Sequence, residues 1–260
     1  MEEVASGEKS YIRTDRRAVR GRSAGRGHCR EELSHKESYR QEVTMELLEA
    51  LKIRKVTRAF SDKPISDALL RELLKVAINS PSGSNIQPWE IYATNGAKTK
   101  ELRRLIDEVA KDGKRTFGAS YSGMVPEKYT KRSAELFREF RPYLMEMGLK
   151  NDYILKGSLH FFHAPAVAFV YIHESLTPMR LPCIGALMVY LMLTAQAYGL
   201  GSCPIGYVRG VDDVIRSLLG VPEDLRFVVS VALGYRKEET PINRFKSGRV
   251  PVEENCRILS

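Results

Sequence analysis

At 260 residues the chain is long enough for one large domain with a sizeable core, and its 43% hydrophobic and 28% charged residues are those of a globular protein. The formal charge of +9 suits an anionic ligand, but no recognition motif or aromatic-interleaved basic stripe accompanies it, so neither a nucleic-acid partner nor a membrane partner is expected. Cys29, Cys183, Cys203 and Cys256 are widely separated and form no CxxC pair, which removes the ligand spacing of zinc and iron–sulfur sites and fits a reducing, cytoplasmic setting.

Residues 1–44 depart from that balance. Between Arg13 and Arg30 seven arginines stand against one acid, with several glycines and almost nothing apolar. Such a segment cannot bury enough surface to offset its ordering entropy, so a basic, disordered N-terminal extension is expected. A start placed too far upstream and a ligand-binding basic arm are the other readings. No apolar core segment of a signal peptide is present, and Glu2, Glu3 and Glu8 spoil a transit-peptide pattern. A single domain is expected over residues 45–260.

Met45 to Ile53 carries Leu47, Leu48 and Leu51 at helical spacing and leads into a basic run, Arg54-Lys55-Val56-Thr57-Arg58. Ser66 reads as an N-cap, followed by Leu69, Leu70, Leu73, Leu74, Ala77 and Ile78 on one helical face. Pro81 ends that helix, and Pro81-Ser-Gly-Ser-Asn-Ile-Gln-Pro-Trp89 forms a loop dense in hydroxyls and amides, ahead of the only tryptophan. A strand is predicted over Glu90–Thr94 and a helix over Lys98–Lys111. Residues 112–160 read as a long excursion with a helical part from Glu127 to Met147. Tyr121, Met124, Tyr129, Phe137, Phe140 and Tyr143 are its aromatic and apolar candidates for covering a ligand, or else they pack the helix. Ala166–Ile172 is continuously apolar, as a strand buried on both faces would be. His160, His163 and His173 surround it, at a spacing that fits no zinc signature.

Leu181–Leu200 approaches membrane-spanning length, but Pro182, Gly185, Thr194, Gln196 and Gly199 favour a helix buried inside protein and stopped at Gly199. A short helix over Asp212–Leu219 and a strand over Phe227–Leu233 follow. Helices and strands are thus intermixed around a dominant apolar helix, an α+β sandwich with a sheet between helix layers. Gly199-x-Gly201 follows a helix and has Pro204 where a dinucleotide fingerprint needs glycine, and no Walker loop occurs.

The basic run and the Pro81–Trp89 loop, together with Gly199–Gly206, Ala232–Tyr235 and Asn243–Pro251, resemble the nitroreductase family of flavin enzymes from about Met45 to Leu259, with a looser likeness to its nitroaromatic-acid branch. The resemblance implies a central mixed sheet flanked by helices, a long buried central helix, and an intertwined homodimer with FMN at the subunit interface. It implies that Arg54, Lys246 and Arg249 serve the phosphate and that Arg58 lies at the pyrimidine edge. Ser82, Gly83, Asn85 and Gln87 would reach the flavin from the opposing subunit, and Pro204, Ile205 and Gly206 would form a turn along the ring. The family's usual serine is Val56 here, so Lys55 or Thr57 would substitute. Pro182-Cys183 stands where the related branch often has an acid. The implied activity is NAD(P)H oxidation through FMN with a nitroaromatic, quinone or similar small-molecule acceptor. Another flavin reaction on the same fold (dehalogenation, dehydrogenation or consumption of FMN itself), flavin storage and nucleic-acid binding are the alternatives.

Overall fold

The computed structural model describes residues 45–111, 125–150 and 152–259. The expected basic extension, and Tyr121 and Met124 of the excursion, lie outside them. The frame is a four-stranded sheet of β1 (Glu90–Asn95), β2 (Ala166–His173), β3 (Gly201–Ile205) and β4 (Leu225–Gly234), in the order β1-β2-β4-β3. All three strand pairs are antiparallel. The mixed character expected of the sheet reduces to one parallel bridge, Val56 to Ser202, at its edge.

Period-two alternation sorts β2 between two cores. Val167, Phe169 and Tyr171 face one side and Ala166, Ala168 and Val170 the other, so no position along its apolar run is left for water. On the first side lie α3 (Ala97–Ala110), α5 (Tyr153–Leu159) and α7 (Asp212–Leu219), which contribute Leu102, Ile106, Leu159 and Ile215. On the second lie α2 (Asp67–Ala77) and the long α6 (Leu181–Ala197), with Leu69, Leu73, Ile184, Leu187 and Leu191. Burying α2 relies on the predicted spacing, and its start on the predicted cap: Ser66 Oγ accepts from Leu69 N at 3.1 Å. Such a cap contributes about 1 kcal/mol. Between α1 (Leu47–Ile53) and α2 runs the basic segment, while α4 (Glu127–Glu146) packs Phe140 and Leu144 against Ile242 and Phe245 of the tail as a third, smaller core.

The stop at Gly199 is a left-handed turn with φ 70°, in which Leu200 N donates to Ala195 O at 2.8 Å and Gly199 N to Gln196 O at 3.1 Å. That double closure satisfies two otherwise orphaned helix carbonyls. The next residues differ from expectation. Pro204 and Ile205, expected in a turn with Gly206, instead end an edge strand, Gly201–Ile205, on β4, and Pro204 is tolerated there because an edge has a side that needs no donor. Residues 161–163 hold another departure: Phe161, Phe162 and His163 all have positive φ (53°, 50° and 59°), held by burial of both phenylalanines.

The Pro178–Ala197 stretch is long and apolar enough to cross a membrane, and about one third of it is buried within the chain. Its inner face is the second core, whereas Leu181, Val189 and Tyr190 remain exposed.

Gly201 is set by a close approach, since a Cβ there would stand 2.3 Å from Thr57 Oγ1. Gly201→Ala is expected to lose about 1–3 kcal/mol in urea unfolding. Gly206→Ala, whose Cβ meets nothing within 4 Å, should stay within ~0.5 kcal/mol of the parent.

Candidate functional site

The basic run and the residues that follow it are stitched to the β3 edge and to the chain leaving β4. Thr57 N donates to Ser202 O at 2.9 Å, Lys237 N to Ala59 O at 3.1 Å and Ser61 N to Tyr235 O at 2.9 Å. Thr57 turns inward into the space that Gly201 leaves open, and its hydroxyl accepts from Arg236 Nε at 3.3 Å. Arg236 also donates to Gln196 Oε1 and Glu238 Oε1, both at 3.2 Å. The Thr57 hydroxyl is therefore engaged within the fold, which leaves Lys55 as the polar residue beside Val56 that can meet a ligand. Burial, and then the charges of Arg236 and Lys246, hold the Lys55 ammonium below its ordinary pKa, with Glu238 opposing.

The two ends of the domain meet at this point. Arg54 closes α1, its N–H on Ala50 O, and Lys246 from the tail donates to Lys52 O at 2.7 Å. Arg54, Lys55 and Lys246 thus share one electropositive corner, suited to a phosphate by charge and by donor number. Arg249 is not drawn into it within one chain: its guanidinium donates to Ser247 and Gly248, its own neighbours.

Arg58 is placed with more care than the others. Its N–H donates to Asn243 Oδ1 at 2.9 Å, its carbonyl accepts from Tyr153 Oη at 2.6 Å, and its guanidinium carbon lies 5.0 Å from the Phe140 ring centre. Burial pulls the guanidinium pKa down, and among the described residues no carboxylate is paired with it. A partly desolvated cation without a counter-ion is a ready seat for an anion from outside. Behind it, burial lifts the Cys203 thiol to about 12.

The Ser82–Gln87 loop is strained and open. Ser84, Asn85 and Gln87 hold φ of 56°, 53° and 48°, each costing about 1–3 kcal/mol, and Gly83, Asn85 and Gln87 are exposed. Ser82 Oγ accepts from Gln87 N at 3.0 Å and Gln87 Nε2 donates to Asn85 O at 3.2 Å, fixing the loop's shape. Trp89, which closes the loop in sequence, turns away from it; at 8% exposure it packs in the second core. Arg180 Nη1 donates to Gly83 O at 3.4 Å, which puts the loop at the start of α6. Thr57 is tied through Arg236 to Gln196, at the other end. Those ends lie about 24 Å apart along the helix axis. One chain's loop and its own basic corner therefore do not face each other. Pro204 and Ile205 finish β3, and Gly206 begins the turn beyond, beside open space.

Residues 51–235 match the profile of the nitroreductase family. The chain belongs to the nitroreductase family. As a family member its general role is that of an oxidoreductase. It is 27% identical over 208 residues to a chloronitrobenzene nitroreductase of Comamonas testosteroni, covering 77% of this chain and 91% of that protein. It is 28% identical over 200 residues to a 4-nitrobenzoate reductase of Pseudomonas putida, covering 75% and 88%. Its fold is that of the FMN and NADPH-dependent nitroreductase NfnB of Sphigopyxis sp. strain HMH, with a TM-score of 0.75, 24% identity, and 83% of this chain and all of the other covered. Sequence reasoning passed over Arg236, Tyr153 and the particular role of Asn243. Asn243 opens a motif that carries the family resemblance, which is the one signal that pointed to it.

Cys203 gives this site a pH signature. The folded thiol keeps its proton to about 12, whereas an unfolded one releases it from its ordinary 9.0. Its contribution is whole below pH 9 and is lost as pH rises toward 12, by up to about 1.4 kcal/mol per unit. Chemical unfolding at pH 8, 9 and 10 should show the Cys203→Ala variant losing less stability over that range than the parent.

Proposed function

We propose that residues 45–260 form an FMN-dependent NAD(P)H oxidoreductase of a homodimer, reducing nitroaromatic, quinone or similar small acceptors in a ping-pong cycle. The observation that carries this reading is Arg58, a part-buried guanidinium over the Phe140 ring with no carboxylate partner among the described residues, at the family's position for the pyrimidine edge. Bound FMN would supply the redox chemistry between the reduced nicotinamide and the acceptor. Arg54, Lys55 and Lys246 neutralise the phosphate. Arg58 favours the electron-rich reduced ring over the oxidised one. Gly206 leaves the approach beside Ile205 free of side chain. No side chain is required as nucleophile or base. The activities named for the chloronitrobenzene and 4-nitrobenzoate relatives support a nitroaromatic acceptor. Cys183, Cys203 and Cys256 are free thiols, which supports a reducing, cytoplasmic setting.

A second copy of the chain completes this site. The exposed faces of α1 (Leu47, Leu48, Leu51) and α6 (Val189, 43%; Tyr190, 40%) offer an apolar surface of the kind that two-fold dimers bury. Two α6 helices crossing antiparallel about a two-fold axis set the start of one beside the end of the other. Ser82, Gly83, Asn85 and Gln87 of one protomer then reach the basic corner of its partner, closing the separation of about 24 Å.

The purified protein should be yellow, or turn so on adding FMN, and anaerobic NADPH should bleach the flavin band. Velocities with NADPH and 4-nitrobenzoate should give parallel double-reciprocal lines. A colourless protein with no affinity for FMN overturns the reading. Tyr190→Glu should shift sedimentation from dimer to monomer and weaken FMN retention at least tenfold; a dimer that persists with full flavin removes the shared site.

A further inference from the structure

Arg58 is held by residues that lie far from it in sequence, of which only Asn243 belongs to a motif of the family resemblance. Asn243 is 1% exposed and uses its whole amide. Oδ1 accepts from Arg58 N at 2.9 Å and Ala59 N at 3.2 Å, while Nδ2 donates to Ala59 O at 2.7 Å and Lys237 O at 2.9 Å. Turning the amide over would set oxygen against two carbonyls and NH2 against two N–H groups, so its orientation is forced. Tyr153 closes the remaining carbonyl, on Arg58. The backbone of Arg58 and Ala59 is thereby fixed, but a backbone does not fix a guanidinium at the end of a flexible stem.

Phe140 does that. At 3% exposure on α4, its ring is locked edge-on by Phe245 (5.2 Å between centres, 76° between planes), and its face carries the Arg58 guanidinium at 5.0 Å. A cation over an aromatic face is attracted strongly enough to favour one orientation several-fold. The ring also excludes water from one side of the charge, which strengthens its field on the other. We propose that Phe140 is a positioning residue: stacked on the Arg58 guanidinium, it aims that cation at the electron-rich edge of the flavin and so sets the preference for reduced over oxidised FMN. This rests on the proposed FMN site, and it assigns a role to α4, a helix that the family motifs leave without one.

The test uses Phe140→Leu, with Phe140→Tyr to restore the ring. In the flavin-free protein, NMR should show Arg58 side-chain resonances shifted by the ring current in the parent and in Phe140→Tyr, and unshifted in Phe140→Leu. In the holoenzyme, the ratio of affinities for reduced and oxidised FMN should fall about three- to tenfold in Phe140→Leu. A tenfold fall reads as about 30 mV in the two-electron potential. Phe140→Tyr should stay within about twofold of the parent, and binding of oxidised FMN, held by the phosphate cations, should change less than the ratio. If Phe140→Leu does not unfold cooperatively, Phe140→Met takes its place with the same readouts. A variant that loses the ring, stays folded and keeps the parental potential overturns the proposal and leaves the flavin reading intact. A parent that binds no FMN sinks the flavin reading, while the NMR comparison still decides whether Phe140 aims Arg58.

Discussion

The contact on which the rest of the molecule depends is the one between Thr57 and Gly201. A side chain at 201 would stand where Thr57 now lies, and without Thr57 the basic run would lose its seat on the sheet edge. From that seat follow the bond from Thr57 to Ser202, the reach of Arg236 across to Gln196, and the stacking of Arg58 on Phe140 of α4. The cationic segment is a loop by sequence and nearly a fifth strand by position. This is why its charges are fixed rather than trailing in water, and fixed charges need no reorganisation when an anion arrives.

The length of α6 imposes the second constraint. Seventeen residues of helix separate the strained Ser82–Gln87 loop from the basic corner, and no bending of a loop this short would join them. The fold therefore supports a shared site better than a private one. The same helix that separates the halves within one chain offers Val189 and Tyr190 on its outer face as the surface through which two chains would rejoin them.

Much of the frame was legible in the sequence, because most elements follow a single period. The helix over Asp212–Leu219 has its acids at the start and glycine after its end, and β2 is an unbroken apolar run; both form where periodicity puts them. Three features were not legible, each for a physical reason. β3 carries glycine and proline, residues that argue against a strand anywhere but on an edge, and edge status depends on the rest of the sheet. Trp89 follows a loop of exposed polar residues yet packs in the second core, where its large apolar ring is removed from water. Arg236 and Asn243 are single polar residues in a polar tail; their importance comes from partners up to 185 residues away, which no local pattern encodes. In the site, the composition of the basic run and of the loop was readable, whereas the inward turn of Thr57 and the stacking of Phe140 on Arg58 were not.

Pro204 has a consequence beyond the site. A bare sheet margin is a template on which foreign strands can add, and β3 is such a margin. Here the ring of Pro204 removes one amide from it and the Val56–Thr57 stretch occupies the carbonyl of Ser202. The residues that prepare the chain to receive an anion thus also blunt its tendency to polymerise, and a freshly made, ligand-free molecule carries that protection from the moment it folds.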